Sequence, residues 1–108
     1  MNIEDANVRA ATIGETLRME LEKVIKLSKD AGPQYDSWIT RYFEPALEKL
    51  TAKERSPIGR LADACFNLQI FGGMGSWSDV GVDSGESFYR AYKEANDFYQ
   101  ECWENELT

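Results

Sequence analysis

The stretch FGGMGSWSD, residues 71–79, interrupts a chain that otherwise has the spacing of amphipathic helices. It places Gly72, Gly73 and Gly75 within four positions. Glycine adopts backbone angles that other residues avoid and allows close backbone approach, and it weakens a helix that runs through it. We therefore expect a loop at residues 72–83, between a helix that ends before it and a helix that begins after it.

The first half of the chain predicts two helices, because its apolar residues recur every three or four positions. One helix is expected from about Ile3 to Lys29 and ends at Gly32-Pro33, where glycine favours a left-handed cap and proline prevents continuation. A second helix is expected from about Tyr35 to Ala52. Pro45 removes one backbone hydrogen bond from it, which predicts a kink or a break near Tyr42–Glu44.

Ser56-Pro57 predicts the start of a third helix, with serine as the cap and proline at the first helical position, and this helix is expected to end at Phe71-Gly72. Asp83 is expected to cap a fourth helix, and Glu86 three residues later completes a capping box. Four amphipathic helices with short connections predict an all-α fold, an antiparallel four-helix bundle. The whole chain, residues 1–108, is expected to form this single domain.

The net charge of −7 is concentrated in the C-terminal part of the chain. Residues 1–62 carry ten acidic and ten basic side chains, whereas residues 63–108 carry nine acidic and two basic ones. An acidic surface is repelled by phosphate, so no nucleic-acid partner is expected. A basic protein partner is favoured, because complementary potentials accelerate encounter. The alternative is an acidic face that serves only solvation.

The residues that enzymes and metal sites require are scarce. The chain has no histidine, which is the commonest general base and zinc ligand. Cys65 and Cys102 lack the CxxC spacing and are expected to be buried thiols. Neither an enzymatic activity nor a metal or other cofactor is predicted. No apolar run approaches the roughly 20 residues of a membrane span, and the acidic start is unlike a signal peptide, so a cytoplasmic location is expected.

Two interpretations of the glycine-rich loop are open. In the first, the loop presents Trp77 and Asp79 to a partner, since tryptophan is a frequent interface anchor. In the second, the glycines permit a tight reversal while Met74, Trp77 and Val80 pack under the bundle. A similar choice applies to Tyr89 and to the tryptophan at position 103, which lie off the main apolar stripe of the fourth helix and are either exposed among acidic residues or partly buried.

Residues 70–80, IFGGMGSWSDV, resemble a signature of small bacterial helical proteins that reads aromatic-Gly-Gly-Met-Gly-Ser-aromatic-Asn-Asp-hydrophobic. Ser78 stands where asparagine is common in that signature. The similarity extends loosely upstream and covers about half of the chain. These proteins are of the immunity type that accompanies bacterial toxins, so the resemblance implies a toxin-neutralising role and no catalytic residues.

We therefore expect a protein-binding module, a bacterial immunity protein that neutralises a toxin through its acidic surface. The expected partner-binding residues combine the loop with the fourth helix: Trp77, Ser78, Asp79, Asp83, Glu86, Arg90, Glu94 and Asp97. Tryptophan anchors the partner in this scheme, and the carboxylates pair with its lysine or arginine side chains. The alternative is a structural or regulatory subunit, a homodimer that buries the aromatic faces of helices two and four.

Overall fold

The computed structural model describes residues 2–70, 77 and 86–107. These residues form four helical segments and include no β-strand, which confirms the all-α fold class. Of the loop expected at residues 72–83, only Trp77 belongs to the described part of the chain. In that part, none of the helices has both the length and the hydropathy of a membrane span.

Helix α1 spans Ile3–Ala31 and begins at Asn2, whose side-chain oxygen accepts a hydrogen bond from the backbone N–H of Asp5 at 2.8 Å. The helix ends at Gly32, as expected, with φ 139° and ψ 168°. These angles need glycine, but they are not those of the left-handed cap that we predicted. The apolar residues whose spacing predicted this helix are Ala6, Ala10, Ile13, Leu17, Leu21 and Val24, and all of them are buried, which confirms the predicted stripe.

The second segment is a succession of helical turns rather than one regular helix. A 3₁₀ turn at Pro33–Tyr35 leads into α2 (Asp36–Trp38), a π-helical turn (Ile39–Phe43) and α3 (Glu44–Leu50). The N–H of Glu44 bonds to the carbonyl of Ile39, five residues back. The departure from α-helical bonding thus falls where Pro45 led us to expect it.

Helix α4 spans Pro57–Asn67, and the predicted cap is confirmed because Ser56 Oγ accepts a hydrogen bond from the backbone N–H of Gly59 at 3.1 Å. The predicted end at Phe71-Gly72 is wrong. Leu68 already leaves the helical angles with φ −107° and ψ 24°, and both Leu68 and Ile70 are buried. Leaving the helix at this point lets both side chains enter the core, which the helical spacing alone does not anticipate.

Helix α5 spans Ser87–Glu104. The predicted capping box is wrong on its Glu86 side, because Glu86 is the residue before the helix and its side chain makes no capping bond. Its carboxylate lies 2.5 Å from Nη2 of Arg90 instead. Asp83, the other member of the predicted box, lies outside the described residues.

The hydrophobic core lies where α1 packs against α3, α4 and α5. Two contacts place α5 along α1. Ser87, at the start of α5, donates a hydrogen bond to Glu20, whereas Phe98, eleven residues later, lies against Arg9. This packing leaves one groove between α1 and α5 and another between α4 and α5.

Candidate protein-binding surface

Trp77 is a core residue. Its ring is 4% exposed and packs against Phe43, Trp38 and Tyr35, with ring centroids 4.8, 5.1 and 6.0 Å away. Its backbone N–H donates to the carbonyl of Ile70 at 2.9 Å. The prediction that this ring is presented to a partner is therefore wrong, because the second helical segment covers it. The alternative, a tryptophan that packs under the helices, is confirmed for this residue.

Three other members of the predicted site, Ser78, Asp79 and Asp83, lie outside the described residues. Their role in binding stays a prediction from the sequence.

The remaining predicted site residues are all exposed on α5 or next to its start: Glu86, Arg90, Glu94 and Asp97. Three of them, Glu86, Arg90 and Asp97, are engaged in ion pairs along the helix. Arg90 pairs with Glu86, and Lys93 Nζ lies 3.2 Å from the Oδ2 atom of Asp97. Exposed pairs at this spacing contribute about 0.3–0.5 kcal/mol to helix stability. These two ion pairs engage both cations of the helix, Arg90 and Lys93.

The groove between α1 and α5, which we call the charged groove, has a volume of about 410 Å³. Residues of both helices line it: Arg9, Ile13, Arg90, Lys93, Glu94, Asp97, Phe98 and Glu101. The guanidinium carbon of Arg9 lies 5.6 Å from the centre of the Phe98 ring, a cation–π contact. In the part of the chain that the structure describes, no cation lies within ion-pair distance of Glu94 or Glu101.

The start of α5 is tied to α1 beside this surface. Ser87 Oγ donates a hydrogen bond to the Oε1 atom of Glu20 at 2.7 Å, and Lys23 Nζ lies 3.0 Å from Oε2. Burial raises the pKa of Glu20, but the Ser87 hydrogen bond and the Lys23 ion pair outweigh it, so the pKa lies below its ordinary value. Glu20 is therefore ionised at neutral pH and holds the two helices in register.

The two cysteines are buried free thiols, as expected. Burial raises the pKa of Cys65 to about 12. Burial is also the main cause of the raised pKa of Cys102, and the nearby Glu101 carboxylate raises it further. A thiol with a raised pKa is a poor nucleophile at neutral pH. Among the described residues, no three histidine, cysteine or carboxylate side chains come together in a way that fits a metal ion.

A second surface was not predicted. Phe66 on α4 and Trp103 on α5 are 75% and 62% exposed, and both line the groove between these helices. The sequence left open whether Tyr89 and Trp103 of the fourth helix are exposed, and both are. The signal in the sequence was the position of Phe66 outside the buried stripe of its helix, where an aromatic side chain has no core to enter.

Comparisons with protein families, with curated proteins and with solved structures find no match to this chain.

Proposed function

We propose that this chain is a protein-binding module that captures a basic protein partner, and that the partner is a bacterial toxin domain which the chain neutralises as an immunity protein. The main support is the pair of carboxylates, Glu94 and Glu101, that line the charged groove and have no cation of the described residues at ion-pair distance. The signature at residues 70–80 supplies the immunity-type assignment. A module of this kind acts in the cytoplasm, where it protects the cell that makes the toxin.

The charge of the α5 region also favours a basic partner. Residues 86–107 carry six carboxylates and two cations, Arg90 and Lys93, and each cation is held by a carboxylate of its own helix turn. A lysine or arginine of the partner would therefore meet carboxylates that are free to pair. Steering by such a surface raises the association rate and is screened by salt.

The proposal includes the finer arrangement of the helices. The contacts Ser87–Glu20 and Phe98–Arg9 support an antiparallel arrangement of α1 and α5. An antiparallel bundle would hold the charged groove on the rigid faces of two helices. The predicted loop residues Ser78, Asp79 and Asp83 stay in the proposed binding set.

The alternative of a homodimer through the aromatic faces of helices two and four has less support. The aromatic residues of the second segment, Tyr35, Trp38 and Phe43, contact Trp77 within the same chain. The aromatic face of the second helical segment is therefore occupied internally and offers little surface to a second copy.

The test begins with the gene next to the one that encodes this chain. We expect it to encode a large secreted protein with a variable C-terminal toxin domain, and we expect co-expression of this chain to rescue cells that express that domain. The purified proteins should bind in calorimetry, and the affinity should fall as NaCl rises from about 50 mM to about 500 mM. Absence of such a neighbour, failure to rescue, or an affinity that salt does not change would contradict the proposal.

A charge-reversal pair locates the surface. We expect E94K/E101K to weaken binding by at least about tenfold at low salt, because both carboxylates line the charged groove. The matched control E44K/E48K makes the same change of net charge on α3, which packs against α1 and α4. Equal effects of the two variants would contradict the assignment to α5. Circular dichroism checks that both variants keep their helices.

A further inference from the structure

The groove between α4 and α5, which we call the aromatic groove, has a volume of about 280 Å³ and is lined by residues of both helices and of the segment before α4: Arg55, Gly59, Ala62, Asp63, Phe66, Tyr99 and Trp103. It lies on the opposite side of α5 from the charged groove, since one borders α4 and the other α1. Phe66 and Trp103 project from its two walls and are mostly exposed. Exposed aromatic residues gathered in one groove are typical of interaction sites.

One edge of the aromatic groove is closed by an ion pair. Arg55 Nε lies 3.0 Å from the Oδ2 atom of Asp63, and the guanidinium group lies against Gly59, where a Cβ atom would come within 2.9 Å of it. The absence of a side chain at Gly59 therefore makes room for the arginine. Because Asp63 already holds Arg55, this cation is not available to neutralise carboxylates near the groove.

The chain next to Trp103 is negative. Glu104 follows Trp103 directly on α5, Glu106 comes just after the helix, and both are exposed. Within the described ranges, neither carboxylate has a cation at ion-pair distance. The aromatic groove thus combines exposed aromatic side chains with an acidic neighbourhood at the end of α5, although Glu104 and Glu106 do not line the groove themselves.

The exposed aromatic rings and the nearby negative charge together limit what can bind in the aromatic groove. A second copy of the chain would bring the same acidic end of α5 against itself, and like charges in juxtaposition oppose association. The exposed parts of two aromatic rings also amount to no more than about 300 Å², well below the roughly 800 Å² per partner of a stable interface. An apolar side chain that is flanked by lysine or arginine fits both the groove and the acidic residues that follow Trp103.

We propose that the aromatic groove is a docking site for an apolar side chain carried on a basic segment of a protein partner. This inference rests on the proposed function, because the basic protein that the charged groove attracts is the partner in question. With grooves on both sides, α5 is the central ridge of the interface. Phe66 and Trp103 then act as the apolar anchors. Trp77, for which that role was predicted, is buried and does not act as one.

The first experiment uses synthetic peptides as probes: a peptide of leucine and lysine, the same peptide with alanine for leucine, and the same peptide with glutamate for lysine. The protein carries three tryptophans, and only Trp103 is mostly exposed. Its indole N–H signal in a ¹⁵N NMR spectrum therefore reports occupancy of the groove. We expect the leucine–lysine peptide to shift this signal and each of the other two to bind at least about tenfold more weakly.

Variants complete the test. We expect Phe66→Ala to weaken binding of the leucine–lysine peptide by about tenfold, whereas Val8→Ala, an exposed apolar residue of α1 outside both grooves, leaves it unchanged. An unchanged affinity in Phe66→Ala, or equally tight binding of the glutamate peptide, would overturn the inference. A Trp103 signal that shifts on dilution of the protein alone would also overturn it, because a second copy would then be the occupant.

The two proposals fail in different ways. If Phe66→Ala leaves binding of the neighbouring toxin domain unchanged while E94K/E101K weakens it, the docking inference is wrong and the proposed function stands. If the peptides occupy the aromatic groove as expected but no toxin domain binds, the proposed function is wrong.

Discussion

At the scale of single residues, Glu106 marks how the last helix ends. Its φ of 57° is positive, and the backbone N–H of Leu107 donates to the carbonyl of Cys102 at 2.8 Å while that of Glu106 donates to the carbonyl of Trp103 at 3.1 Å. These two bonds form a Schellman motif, in which glycine is the usual residue at the left-handed position. Leu107 packs back onto the core and completes the motif.

We expect Glu106→Gly to stabilise the protein by about 0.5–1 kcal/mol, because glycine adopts a positive φ without the steric cost that a Cβ atom brings. Urea unfolding followed by circular dichroism measures the change. Glu106→Ala is the control, since it removes the same charge and retains the Cβ atom. Equal stabilisation by both substitutions would show that charge, not backbone conformation, is responsible.

At the scale of the elements, the glycine inside α1 and the glycine at its end differ in whether they tolerate a Cβ atom. Gly14 lies inside the helix, and a Cβ atom there would sit 3.5 Å from the Cδ2 atom of Leu61 and 3.7 Å from that of Leu50, both ordinary contact distances. Gly32 has a φ of +139°, and a Cβ atom there would overlap the side chain of Gln34. The first position tolerates a methyl group and the second does not.

We therefore expect Gly14→Ala to stabilise the protein by about 1 kcal/mol, the difference in helix propensity between the two residues. Gly32→Ala should destabilise it by about 1 kcal/mol or more, because its backbone angles are strained for any residue with a Cβ atom. Thermal unfolding of the two variants provides the measurement. A lower melting temperature for Gly14→Ala would mean that α1 cannot accommodate a methyl group against α3 and α4.

At the scale of the whole molecule, Trp77 joins segments that are far apart in the chain. It contacts three rings of the second helical segment, and one of them, Phe43, also packs edge-to-face against Phe88 of α5 at 5.7 Å. The hydrogen bond from Trp77 to Ile70 brings the chain back to the end of the third helical segment. The ring of Trp77 thus joins the second helical segment directly and α5 through Phe43, while its backbone is bonded to the chain that follows α4.

We expect Trp77→Ala to cost about 3–5 kcal/mol, the range for large aromatic residues removed from a core. That is a large fraction of the roughly 5–15 kcal/mol by which a domain is stable. Trp103→Ala is the matched control and should change the free energy of unfolding by less than about 0.5 kcal/mol, because its ring is mostly exposed. Similar losses in the two variants would contradict the burial that separates these tryptophans.

Much of the helical architecture is predictable from the sequence. The apolar stripe of α1, the serine cap at Ser56 and the interruption before Pro45 all follow from spacing and local chemistry, and each is present in the structure. The less accurate predictions lie at helix ends. The third helix stops at Asn67 because Leu68 and Ile70 turn into the core, and that gain depends on other helices.

The candidate site, like the helices, could be predicted from the sequence only in part. The acidic excess of residues 63–108 is a property of the sequence, and so is the position of Glu94 on a helix face with Asp97. Only the tertiary structure decides which carboxylates are left without a cation and which aromatic residues share a groove. It also decides which tryptophan is buried and which is exposed. The physical reason is that periodicity describes one helix at a time, whereas burial and pairing depend on how helices far apart in the chain are rotated against one another.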